Sequence, residues 1–127
     1  MDKTELVAKD IESGRRLTDA LQQSSIPLSA SMWFYDPNAA EWWLMIASPM
    51  VDTSGSRATY TAIQKVLRGL DPPTDLVFRK ISVVSPTEPL IRLLRVAIRS
   101  TGSGGVRFTH NTINNHFIED AYVYLLS

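Results

Sequence analysis

Two histidines, a short run of hydroxyl and glycine residues ahead of an arginine, and a stripe of arginines are the side chains of this 127-residue chain best suited to chemistry. The histidines lie close together near the C-terminus. Asn114-Asn115 suits the two-residue hairpin loop that requires positive φ, which would pair Ile113 with His116 and, counting outward, set His110 opposite Glu119. A histidine facing a carboxylate is oriented and made more basic, as a general base must be. The same cross-strand pair is also an ordinary way to hold two strands together. No serine or lysine nucleophile stands at a recognisable spacing from it, so His110, Glu119 and His116 are catalytic candidates in a chain whose signals lean toward binding rather than catalysis. Glu119 and Asp120 are adjacent, so in a strand they point to opposite faces and would not chelate one cation together.

A ligand-binding reading rests on Ser54, Gly55, Ser56 and Arg57, with Ser85 and Thr87. These residues precede two expected helices, whose first turns present free N–H groups to an anion. Ser54-Gly55-Ser56-Arg57 lacks the glycine and lysine spacing of a nucleotide-binding P-loop, and turn-forming or helix-capping roles explain the same residue types. The glycine-rich stretch at 102–105 follows a helix and precedes a strand, the reverse of a phosphate loop, and reads as a helix stop. Arg92, Arg95 and Arg99 share one helix face, a stripe that Arg79, Lys80 and Arg107 would extend toward nucleic acid. Thirteen basic and thirteen acidic residues balance, however, so no whole-molecule field favours a polyanion, and a solvated helix face is the plainer reading. Nucleic acid therefore ranks last among the partners.

The elements that must position these groups follow from periodicity. Val7, Ile11, Gly14, Leu17 and Leu21 recur at helical steps and predict a helix over 4–23, ended by Pro27. Two aromatic-rich runs at 30–36 and 41–48, separated by Asp36-Pro37-Asn38, predict a β-hairpin. A helix carrying Ile63, Val66, Leu67 and Leu70 follows capping candidates at 52–56 and closes at Gly69 and Pro72-Pro73. Residues 76–84 alternate as a strand. Ser85-Pro86-Thr87-Glu88 has capping-box spacing and predicts a helix from there to about residue 99, with Pro86 at its first position. Residues 106–126 then form the second hairpin. The order α-β-β-α-β-α-β-β predicts a single α+β domain over 1–127, a mixed five-stranded sheet with three helices. Crossovers through packed helices would make the second, third and fourth strands parallel, bringing the helix N-termini and the Asn114-Asn115 turn to one sheet edge.

Composition narrows the class further. At 44% hydrophobic residues the chain is of globular type, and the absence of cysteine removes disulfides, thiolate metal sites and a cysteine nucleophile. With two histidines and no thiol, neither a metal nor a cofactor is expected. No apolar run is long enough for a membrane span or a signal peptide, which makes a cytoplasmic location the default expectation.

The first hairpin carries a surplus of apolar surface. Trp33 and Tyr35 share one face while Met32 and Phe34 share the other, and Trp42, Leu44 and Ile46 alternate with Trp43, Met45 and Ala47. A hairpin apolar on both faces needs helices on both sides or a partner. The leading expectation is thus an intracellular interaction or regulatory module, self-associating as a homodimer or binding a protein partner through Trp33, Tyr35, Trp42 and Trp43. A binding domain or enzyme for a small anionic or phosphorylated ligand at the converging edge is the alternative.

Overall fold

The structure is a computed structural model that describes residues 6, 8–74, 76, 80–98, 106–113 and 116–126. Helix α1 spans Ala8–Gln23, and strands β1 (Ala30–Asp36) and β2 (Glu41–Ala47) form the first hairpin in the expected place. Its register, Tyr35 with Trp42 and Trp33 with Leu44, puts the two aromatic sets on opposite faces as alternation requires. In the loop the Asn38 amide donates to Asp36 Oδ1 at 2.9 Å, the local side-chain bond that makes Asp a turn residue.

The helix predicted after this hairpin is two. A short α2 (Met50–Ser54) precedes α3 (Ser56–Arg68), and Gly55, at φ 90°, makes the break where a residue with a Cβ would be strained. The hydroxyl and acidic residues read as caps thus lie partly inside α2. Among the described residues the three expected long helices are joined by one short one, in the expected α+β class with a mixed five-stranded sheet. Strand β3 is described as Ile81–Val84, and residues 75 and 77–79 of the predicted strand lie outside the described residues. Helix α4 runs Pro89–Ile98, so the proline at its first position is Pro89 and not Pro86. Ser85-Pro86-Thr87-Glu88 is a turn, closed by the Glu88 amide donating to the Ser85 carbonyl at 3.0 Å. Strands β4 (Val106–Ile113) and β5 (His116–Leu126) complete the chain.

The five strands form one mixed sheet in the order β3-β2-β1-β5-β4, with β2 and β3 parallel and every other pair antiparallel. Three successive antiparallel pairings from β2 to β4 turn β4 against β2 and β3, which corrects the expectation that all three run the same way. The connection through α4 delivers β4 to the far edge of the sheet, where β5 rather than β3 sets its direction. Parallelism across a packed helix holds for β2-α3-β3, whose strands are neighbours.

Each sheet face has its own core. Helices α1 and α3 cover one, enclosing Leu17, Leu21, Trp33, Leu44, Ile46 and Ile63. Among the described residues helix α4 is the helix on the other, where Ile91 and Leu94 meet Met32, Ala47, Ala121 and Val123. Helix α1 is fixed by a small hydrogen-bonded hub. Trp33 Nε1 donates to Tyr124 Oη at 2.9 Å and to the Asp10 carbonyl at 3.2 Å, and Tyr124 Oη donates to the Ile11 carbonyl at 2.6 Å. Thr18 Oγ1 and Ser31 Oγ add a buried contact at 2.7 Å. Gly14 permits this approach: a Cβ there would lie 2.4 Å from Tyr124 Oη and 2.7 Å from Trp33 Nε1.

Gly14→Ala is therefore expected to destabilise the protein by about 1–3 kcal/mol, the usual range for overpacking, although alanine is the better helix former. Denaturant unfolding checks it. Burial raises the Tyr124 phenol above its ordinary value, against the opposing effect of its bond to Trp33. A raised pKa means that the unfolded chain ionises first, so this stabilisation is complete below pH ~10 and is lost as the pH rises further. Tyr124→Phe should cost about 1 kcal/mol at neutral pH and flatten the alkaline fall in stability, read as unfolding free energy against pH.

Candidate functional site

The N-terminal ends of α2 and α4 meet where β2 and β3 end, as the β2-α3-β3 crossover implies. There Ser85 Oγ donates to Asp52 Oδ2 at 2.9 Å, stands 2.9 Å from Thr87 Oγ1 and accepts from the Thr87 amide at 3.2 Å. These polar groups hold one another, and the Asp52 carboxylate places negative charge among them, the wrong sign for an anion site. Ser54, Gly55, Ser56 and Arg57 are exposed just beyond, and a Cβ at Gly55 would meet nothing within 4 Å. Of the predicted members, Ser85 and Thr87 are brought together at this edge.

The histidines are elsewhere. Because β4 runs opposite to β2 and β3, His110 lies toward the sheet edge of the Asp36 turn, and the Ile113–His116 pair lies farther out on the same side. They cannot join Ser85 and Arg57 in one site. Asn114 and Asn115 lie outside the described residues. The register counted from the sequence does hold: His110 Nε2 is 3.3 Å from Glu119 Oε1, and the His110 ring stacks on Phe117 with centroids 6.2 Å apart. His110 sits at φ 50° and is exposed.

Asp120, next to Glu119 but directed to other partners, is 1% exposed. Arg107 grips it with two bonds, Nε to Oδ1 at 2.7 Å and Nη2 to Oδ2 at 2.8 Å, and Thr109 Oγ1 donates to Oδ1 at 3.3 Å. The hydrogen bond to Asp120 raises the Arg107 pKa, and the guanidinium stands 5.6 Å from the centre of the Trp42 ring. This fork was within reach of the sequence, because the register that pairs His110 with Glu119 also pairs Thr109 with Asp120. Arg107 is thus committed to a carboxylate instead of extending a basic stripe. Lys80 is likewise held by Glu41 at 2.9 Å and lies over the Trp43 ring at 5.5 Å. Arg92 is exposed on α4, and Arg99 lies outside the described residues.

The four hairpin aromatics divide. Trp33, Tyr35 and Trp42 are 4%, 5% and 6% exposed, packed beneath α1 and α3, so a contact made through these three has no accessible side chain to use. Trp43 lies on the α4 side and is half-buried. There the cover is incomplete: a ten-residue helix is about 10 Å wide, whereas five strands span about 20 Å. Among the described residues the remainder is open. A cleft of about 670 Å³ is lined by Phe34, Leu90, Leu93, Val96 and Phe117 with Glu88 and Arg92 among its polar groups. A second, of about 270 Å³, is formed by Phe34, Asp36, Trp43, Met45 and Ser82, and Phe34 belongs to both. Val96 and Phe117, 63% and 59% exposed, are the exposed large hydrophobic residues among those described, and both line the larger cleft. Sequence periodicity missed them, because it placed Phe117 in a strand and Val96 in a helix without showing which face each element left open.

No group of three His, Asp or Glu side chains among the described residues is placed to hold a metal ion, and no described helix is long and apolar enough to cross a membrane. Compared with protein-family models, curated proteins and solved structures, the chain matches none.

Removing the guanidinium with Arg107→Met keeps the aliphatic stem on Trp42 but leaves the Asp120 carboxylate buried without its fork. Breaking a fully buried pair costs about 3–5 kcal/mol. The Arg107 side chain is 41% exposed, so solvent screening lowers the expectation to about 2 kcal/mol, measurable by urea unfolding.

Proposed function

We propose that this protein is an interaction module that self-associates through the half-covered α4 face of its sheet. The observation that carries the reading is the coincidence of both exposed large hydrophobic residues, Val96 and Phe117, in one cleft that adjoins the Phe34–Trp43 groove. Large contiguous apolar patches on small proteins mark association surfaces, and aromatic residues dominate the energetics of such contacts. The surface expected from the hairpin is thereby moved: Trp43 stays in it, Trp33, Tyr35 and Trp42 leave it, and Phe34, Val96 and Phe117 enter.

Sedimentation equilibrium at micromolar to near-millimolar concentration tests the proposal. A concentration-dependent dimer is expected. Phe117→Asp and Trp43→Glu, both at accessible sites, should each weaken it about 30-fold or more, the effect of losing a ~2 kcal/mol hot spot, while leaving the circular dichroism spectrum unchanged. A chain that stays monomeric throughout overturns it.

A further inference from the structure

A like-charge pair crosses the first hairpin next to an aromatic pair. The β1–β2 register sets Asp36 directly opposite Glu41 and Phe34 directly opposite Trp43, and alternation puts all four on the α4 side of the sheet. Two carboxylates facing each other across a ladder repel, so each calls for a cation. Glu41 has one. Lys80 Nζ stands 2.9 Å from Glu41 Oε1 and 5.5 Å from the centre of the Trp43 ring, so one ammonium answers a carboxylate and an indole together. Asp36 accepts the Asn38 amide, and among the described residues no cationic side chain is joined to it.

The Asp36 carboxylate borders the smaller groove. Phe34, Trp43 and Met45 wall this space of about 270 Å³ with apolar surface, and Ser82 completes it. All five lining side chains are partly exposed, so the groove is reachable from solvent. Glu41 and Lys80 cancel beside it, which leaves the charge of Asp36 uncompensated against aromatic walls. Such a lining repels anions. It also suits a bare metal ion or a primary ammonium poorly, because their strong hydration is lost against apolar walls, whereas a methylated ammonium spreads its charge beneath carbon.

We infer that this groove binds a methylated ammonium group, with its charge against Asp36 and its methyl groups on Phe34, Trp43 and Met45. Lys80 makes the same pair of contacts from within the chain, to Glu41 and Trp43. The groove adjoins the Val96–Phe117 cleft, but binding there does not require self-association.

Titration followed by the indole N–H resonance of Trp43 tests the inference. Choline is expected to shift that resonance with a millimolar Kd, and the neutral isostere of choline, with carbon in place of nitrogen, should bind about tenfold more weakly. Asp36→Asn keeps an acceptor for the Asn38 amide and should weaken choline about tenfold while leaving the neutral isostere unchanged. Circular dichroism checks that the variant remains folded. A short peptide carrying trimethyllysine identifies the source of the group: tighter binding than choline assigns it to a protein side chain, and weaker binding to a free small molecule. Equal affinity for choline and its neutral isostere overturns the inference, as does the absence of any shift with either choline or the peptide. A monomer that binds choline upholds this site and sinks only the self-association proposed above.

Discussion

The structure depends on covering a central hairpin that is apolar on both sides. β1 and β2 place Trp33, Tyr35, Trp42, Leu44 and Ile46 on one face and Met32, Phe34, Trp43, Met45 and Ala47 on the other, so neither face can be left to water at low cost. The chain answers with three layers, and the distribution of helices between them is unequal. α1 and α3 share one side and enclose three of the four hairpin aromatics considered for association. Among the described residues α4 serves the other and leaves the clefts around Phe34.

The well-covered side is also the better secured. The Trp33–Tyr124–Ile11 hub ties β1 and β5 to α1 through groups that burial would otherwise leave unsatisfied, and the absence of a Cβ at Gly14 lets the helix come close enough for those bonds. Among the described residues no fully buried side-chain nitrogen or oxygen lacks a hydrogen-bond partner. On the edge strand β3, the Val83 amide donates to Tyr60 Oη at 2.9 Å, so a group that a foreign strand would need is already engaged. The polar groups named here are engaged within the fold, whereas Val96 and Phe117 leave apolar surface exposed.

Local patterns were readable wherever one residue type has one physical role. Alternation located β1, its loop and β2 almost to the residue, and the His110–Glu119 register followed from counting back from a two-residue turn. Capping residues were less decisive. Hydroxyl and acidic side chains serve helix interiors, turns and caps alike, so the stretch around Asp52 became a helix of its own and Ser85-Pro86-Thr87-Glu88 became a turn. The converging edge was legible in its Ser85–Thr87 part and illegible in its histidine part. Ser85 and Thr87 depend on a crossover between neighbouring strands, while the place of His110 depends on which strand β4 pairs with.

By itself the sequence determined the five strands and three long helices, their order, the two-faced character of the first hairpin and the cross-strand pairs of the second, because each follows from contacts between residues near in the chain or from the two-residue period of a strand. Only the tertiary structure decided that β5 inserts beside β1 and turns β4 around, and that, among the described residues, two helices cover one face and one covers the other. Those outcomes depend on pairings between distant segments, whose competing arrangements satisfy the same local pattern equally well. Which apolar residues stay open to a partner is the remainder after all such pairings are made, so Val96 and Phe117 emerge only once the whole sheet is assembled.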